Sequence, residues 1–271
     1  MMASVDLMLA GQDLDASPKR MIITGMKRLV PLSSLAALFC VFAALCSVSR
    51  AEAAAIVGAG GFKSPQAYDG MTLAWREEVN GRALAQTGWV LESGNAELRD
   101  GYLLMTEGGS AIVQPAEKRS LRIGRIDVRA RTSSGLAPLV WLMQAAGSAR
   151  SRPAVQRIDV MQLTGLPGEE STVHGTVHWR EASGERYESA SAALPSGSFG
   201  DQFHVFSVVW DEKGIHWLVD GMEYGVFEPT DADMGTFSAA FGLGIRLETA
   251  GSGASPDPFF AIDYIRAFEF K

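Results

Sequence analysis

Residues 203–221 read FHVFSVVWDEKGIHWLVDG. An apolar and aromatic run over 203–210 gives way to Asp211-Glu212-Lys213-Gly214, where the chain turns. A second run, Ile215-His216-Trp217-Leu218-Val219, closes on Asp220-Gly221, a dipeptide that tight primed turns favour because their central residues need positive φ. Short runs of β-branched and aromatic residues bounded by turns specify strands. The same grammar recurs outward from this stretch. Glu97-Leu98-Arg99, Asp100-Gly101 and Tyr102-Leu103-Leu104-Met105 form another hairpin, and residues 259–270 alternate as one more long strand. After Ala55 no segment sustains a helical apolar period over three turns, because Gly or Pro interrupts the candidates. The 271 residues, 47% of them hydrophobic, suffice for a sizeable core, and 29 Gly with 13 Phe and 6 Trp suit a turn-rich β protein. The expectation is an all-β fold, a β-sandwich of jelly-roll type, in one domain without repeats or linkers.

Charge narrows the function. The chain carries 24 Lys+Arg against 31 Asp+Glu, a net −7, which argues against nucleic acid as a partner and gives no basic attraction to an anionic membrane. The N-terminus reads as an address. Lys27-Arg28 precede the apolar stretch 29–48, and Ser49-Arg50-Ala51 has the small-x-small pattern of a signal-peptidase site. Residues 1–51 are therefore read as a signal peptide with an extended n-region, and 52–69 as a flexible lead-in. An uncleaved apolar stretch would instead be a membrane anchor. Neither Cys40 nor Cys46 sits in a lipobox, and both lie within this segment, so the exported chain has no disulfide. Cleavage removes five basic residues (Lys19, Arg20, Lys27, Arg28, Arg50) and three acids (Asp6, Asp13, Asp15), which takes the balance from −7 to −9. The expected location is secreted or periplasmic, with membrane anchoring as the alternative. Nothing in the sequence sets an oligomeric state.

Five ordered patterns over about residues 70–271 resemble glycoside hydrolase family 16, the laminarinase and lichenase group. They are Leu73-Ala74-Trp75-Arg76-Glu77-Glu78-Val79-Asn80-Gly81; residues 124–131 (GRIDVRAR) with Pro138-Leu139-Val140-Trp141-Leu142; His174-Gly175-Thr176-Val177-His178-Trp179; residues 203–221; and Ile262-Asp263-Tyr264-Ile265-Arg266. The resemblance implies a concanavalin-like jelly roll and a polysaccharide partner, a β-glucan or a bacterial exopolysaccharide.

The family carries E-x-D-x-x-E on one strand. The aligned segment here is Gln156-Arg157-Ile158-Asp159-Val160-Met161-Gln162. The resemblance thus places Arg157 at the nucleophile position and Gln162 at the acid/base position, with Asp159 retained between them. Alternation puts 157 and 159 on one face about 6.6 Å apart, and a bulge would return 162 to that face. Retaining hydrolysis needs two carboxyl groups about 5–5.5 Å apart. An amide gives no titrating proton, forfeiting about 10²–10⁴-fold. A guanidinium cannot attack carbon, and about 4 Å from an oxocarbenium-like centre it would repel it by up to about 4 kcal/mol.

The leading expectation is therefore glycan binding without cleavage, through Arg157, Asp159, Gln162 and His178, with Trp141 and Trp179 as flat faces flanking the cleft. In the plainer reading Arg157 and Asp159 form a partly buried ion pair and both Trp are core. Two functional alternatives stand beside it: an active endo-glycosidase or transglycosylase with carboxylates outside this strand, and a structural or protein-binding domain. His174 and His178 would share a strand face about 13 Å apart, too far for a joint metal site. His204 and His216 are expected to be packing residues, and Glu169-Glu170 to reach the cleft rim. No G-x-S-x-G supports a serine nucleophile, and Gly60-Gly61 and Gly108-Gly109 lack the helix a phosphate loop needs. No cofactor is expected; the resemblance allows a structural calcium at Asp263, but the leading expectation there is a hydrogen-bonded strand aspartate.

Overall fold

The computed structural model describes residues 54–55, 62–79, 89–93, 96–106, 110–113, 124–144, 154–181, 184–211, 213–228, 241–249 and 258–271. All lie in the compact unit Ser49–Lys271, and the signal-peptide reading of residues 1–51 falls outside them. Among the described residues no helix is long and apolar enough to cross a membrane.

The strands are β1 (Ala54–Ala55), β2 (Met71–Glu77), β3 (Trp89–Ser93), β4 (Ala96–Arg99), β5 (Tyr102–Met105), β6 (Ser110–Val113), β7 (Gly124–Thr132), β8 (Leu136–Gln144), β9 (Ala154–Gln162), β10 (Thr172–Glu181), β11 (Gly184–Ala193), β12 (His204–Trp210), β13 (Ile215–Val219), β14 (Met222–Phe227), β15 (Phe241–Thr249) and β16 (Phe260–Phe270). They build two sheets. The first runs β1-β11-β10-β9-β8-β15-β6-β3; the second runs β14-β13-β12-β7-β16-β5-β4, with β2 also on β16. The expected all-β sandwich is what forms. Both Asp-Gly turns are as read: Asp100 and Gly101 have φ of 54° and 81°, Asp220 and Gly221 of 50° and 78°.

The core lies between the sheets, where side chains at alternate positions meet. Phe206, Val208 and Trp210 of β12 face Ile158 and Val160 of β9, Val177 of β10 and Phe241 and Leu243 of β15 in one cluster. Trp217 of β13 reaches across to the first sheet. Its ring occupies the space a side chain at Gly175 would need, since a Cβ there would stand 2.3 Å from the indole, and its Nε1 donates to the backbone carbonyl of Asp159 at 2.8 Å. A glycine on β10 thus makes room for a tryptophan that reaches β9.

One expectation is corrected. Residues 62–69 of the segment read as flexible are pinned to the outer face of the second sheet. Ser64 is buried and its N–H donates to the Tyr264 hydroxyl at 2.8 Å, while its carbonyl accepts from Arg266 at 2.7 Å. The Tyr68 hydroxyl donates to Asp127 at 2.7 Å, with its ring over the Arg125 guanidinium at 4.0 Å. Arg125 and Ser207 also donate to Asp127, at 2.7 Å each, so this fully buried carboxylate has three donors. Partners some 200 positions away in the chain satisfy the polar groups of Ser64.

Trp217→Phe keeps a ring between the sheets but orphans the Asp159 carbonyl, and is expected to cost about 1–3 kcal/mol in urea unfolding. Gly175→Val should cost at least as much by overpacking against the indole. Wild-type stability for both variants would contradict this role for Trp217.

Candidate functional site

On both of its sides β9 spends one residue more than its neighbours. Against β8, Asp159 pairs with Trp141 and Met161 with Val140; against β10, Asp159 pairs with Thr176 and Gln162 with His174. This is the bulge that the spacing requires. Ile158, Val160 and Met161 turn inward with exposures of 0, 1 and 1%, and the register aligns Arg157, Asp159 and Gln162 together on the outer face of the first sheet. Three cross-strand rows result. The first is Met143–Arg157–His178–Tyr187, the second Trp141–Asp159–Thr176–Ser189, the third Leu139–Gln162–His174–Ser191.

The centre of this grid is an occupied carboxylate. Arg157 grips Asp159 with two prongs, Nε to Oδ1 at 2.6 Å and Nη2 to Oδ2 at 2.9 Å, and His178 Nε2 donates to Oδ2 at 3.0 Å. The Asp159 side chain is 1% exposed, while those of Arg157 and His178 are 26% and 33% exposed. The carboxylate lies beneath its partners, and the solvent meets nitrogen. Beside it the hydroxyls of Thr176 and Ser189 bond each other at 2.9 Å.

The two tryptophans part company. Trp141 sits on the outer face with its indole laid over Gly244, where a Cβ would stand 2.4 Å from the ring, and it is only 8% exposed. Trp179 corrects the expectation: it points between the sheets and packs on Phe227 at 5.4 Å between ring centroids. Its neighbour His178 takes the outer face, and strand alternation sends Trp179 inward. Sequence reading missed Met143 and Tyr187, which are 50% and 47% exposed beside Arg157 and His178. The signal was available, since both follow by parity once the register of β9 is known.

The remaining candidates lie in varied surroundings. His174 joins the outer face one row beyond Thr176, apart from His178, and no group of three or more His, Cys, Asp or Glu able to hold a metal occurs among the described residues. Glu169 accepts from Thr164 at 2.6 Å and Glu170 from the Gly168 N–H at 2.9 Å, which fixes their loop. His204 is buried on Asp220 at 2.7 Å, as a packing residue would be, whereas His216 pairs at the surface with Glu223 at 2.8 Å. Asp263, the calcium candidate, accepts instead from the Arg129 guanidinium. A divalent cation there would have to displace that guanidinium and find several further oxygen ligands. The residues present fit an ion pair and not a calcium.

Residues 84–254 match the family model described as glycosyl hydrolases family 16. The chain is 28% identical over 274 residues to glucan endo-1,3-beta-glucosidase A1 of Niallia circulans, covering 77% of this chain and 39% of that protein. It is 28% identical over 120 residues to the beta-1,3-glucan-binding protein of Penaeus monodon, covering 41% of this chain and 33% of that one. The chain therefore spans well under half the length of these curated relatives. Its fold is that of the laminarinase catalytic domain from Thermotoga maritima, with a TM-score of 0.61 at 20% identity over 74% of this chain and 99% of that one.

Burial pushes the His174 imidazole below its ordinary pKa, and the Glu169 carboxylate offsets only part of the shift. The unfolded chain takes up that proton more readily than the native one. The stability involved is complete above the unfolded value, about 6.5, and is lost as pH falls below it. His174→Gln is expected to flatten the decline in urea stability between about pH 7 and pH 5. Matching pH profiles for variant and wild type would contradict a neutral buried imidazole. At Asp263, EDTA or added calcium should leave the melting temperature unchanged, whereas Asp263→Asn should lower it.

Proposed function

The chain belongs to glycosyl hydrolase family 16, and from that premise we propose that it is an exported polysaccharide-binding domain that does not cleave its ligand, a β-glucan or a bacterial exopolysaccharide. One observation carries the reading: the bulged strand offers a guanidinium, a covered carboxylate and an amide, and the resemblance aligns it with the strand that carries the family's two catalytic carboxyl groups. On this reading Arg157 takes the nucleophile's place and Gln162 that of the acid/base. Asp159 cannot stand in, because both of its oxygens are bound and its side chain is 1% exposed.

Charge repulsion is a smaller obstacle than the bare sequence suggests. Arg157 is paired with Asp159, so a positive transition state would meet a nearly neutral couple and not a lone cation. The dominant losses are the missing nucleophile and the missing proton donor, the latter worth about 10²–10⁴-fold. What the face keeps is recognition chemistry: the amide of Gln162, the guanidinium, the imidazole of His178 and the exposed ring of Tyr187. Relatives support the ligand class from both sides, since one is named for cleaving a glucan and another for binding one. Export is supported by the basic and apolar pattern of residues 27–51.

The protein should bind laminarin, lichenan or an exopolysaccharide saturably and release no reducing ends. Gln162→Ala should weaken binding several-fold. Arg157→Glu combined with Gln162→Glu should restore slight hydrolysis by returning two carboxyl groups to one face. Turnover by the wild-type protein would overturn the proposal and point to carboxylates outside β9.

A further inference from the structure

We infer that the glycan held by this face is acidic, a polysaccharide whose sugar carboxylates seat on the outer edge of Arg157. The inference rests on the binding role proposed above and specifies its ligand. The first row, Met143–Arg157–His178–Tyr187, is the exposed one, with Met143 at 50% and Tyr187 at 47%. In the second row Trp141 is 8% and Asp159 0% exposed. A sugar arriving at the sheet therefore meets the first row before the second.

That row presents the outer edge of a guanidinium. Arg157 spends Nε and one N–H of Nη2 on Asp159, and the Nη1 edge remains for a ligand. His178 commits its Nε2–H to the same carboxylate, so Nδ1 of the neutral ring is an acceptor that can take a sugar hydroxyl but not a carboxylate. The one negative charge in the cluster is covered by the two groups that bind it. A neutral sugar hydroxyl is served best where donors and acceptors alternate, whereas a guanidinium edge over a covered anion suits an incoming carboxylate, which only accepts. A planar carboxylate can take two parallel bonds from a guanidinium edge, so geometry adds to charge. Tyr187 lies 6.2 Å from His178 between ring centroids and gives the pyranose a face to rest on.

Net charge sharpens the argument. The chain as a whole is at −7, so its general field opposes a polyanion. Selective binding of an acidic polymer must then come from a local seat.

The test compares a β-linked glucuronate polymer with its carboxyl-reduced, neutral derivative, using the full chain and isothermal titration. The acidic form is expected to bind about tenfold more tightly, the worth of one charge-assisted hydrogen bond. The advantage should shrink with added salt. Arg157→Gln should abolish the difference, so that the acidic and the neutral polymer bind alike, and Tyr187→Ala should weaken both polymers. Equal affinity of the wild-type protein for the two polymers overturns the acidic preference yet leaves glycan binding standing. Equal affinity for glucuronate polymer and dextran sulfate overturns it as well, since that pattern is plain charge attraction. No binding to any polymer defeats both readings. The wild-type comparison needs no variant to fold.

Discussion

Trp217 ties the two halves of the sandwich together at the point where β9 departs from regular pairing. A bulge takes one residue out of the ladder, and a buried carbonyl left without a donor costs about 1–3 kcal/mol. The indole of Trp217 supplies that donor at 2.8 Å from the opposite sheet, through the gap that Gly175 leaves. Small residues extend the gap along the sheet, where a Cβ at Gly225 would collide with Ala190 at 2.2 Å. With the bulge fixed, Met161 enters the core and Gln162 leaves it. A slip of one residue would reverse them, burying an amide and exposing a thioether. The outer face of the first sheet therefore inherits its arrangement from a contact on the inner side.

Asp159 imposes a second constraint. A carboxylate this deeply buried is tolerable only while its charge is matched and both oxygens are bonded. Arg157 supplies two of the three bonds and His178 the third. The guanidinium thus has two duties on two edges. Its inner edge stabilises the anion beneath it, and its outer edge faces the solvent. A lysine would serve poorly here, because a single ammonium cannot span both carboxylate oxygens and still present a planar edge outward. The same geometry explains why a pair that looks like a simple ion pair in the sequence can also shape the chemistry of a binding face.

Sequence made the strands legible where apolar alternation ended in Asp-Gly, as at Asp100-Gly101 and Asp220-Gly221, since the turn chemistry is local. It also made the bulge of β9 legible, because only an extra residue brings 157, 159 and 162 to one face. Trp179 was misread for a physical reason: a tryptophan suits both a sugar platform and a core, and its parity relative to His178 decides between them. The pinned segment 62–69 was illegible because its order depends on Tyr264, Arg266 and Asp127, which are distant in the chain. Long-range polar satisfaction leaves no periodic trace. At Asp263 the sequence indicated a hydrogen-bonded strand aspartate but not its partner, which depends on the side chain that β7 places opposite, Arg129.

The two outer faces of the sandwich are treated differently, and the difference bears on where a ligand goes. On the second sheet, Ser64 and Tyr68 cap a polar layer made of Asp127, Arg125, Ser207 and Arg266. Glu78 closes it with two bonds to Arg266 at 2.8 and 3.1 Å. Burial and the Asp127 carboxylate push the Tyr68 hydroxyl to a raised pKa, so it stays protonated as the donor that this layer needs. Every polar group in the layer answers another from the same chain. On the first sheet, by contrast, Arg157 and His178 have each met one obligation and retain unspent nitrogen at a surface lined by Met143 and Tyr187. Polar groups that are satisfied internally have nothing left to offer a sugar. Those satisfied on one edge only have a fixed position and a remaining bond to make, which is the condition for selective recognition without the ordering cost of a mobile side chain.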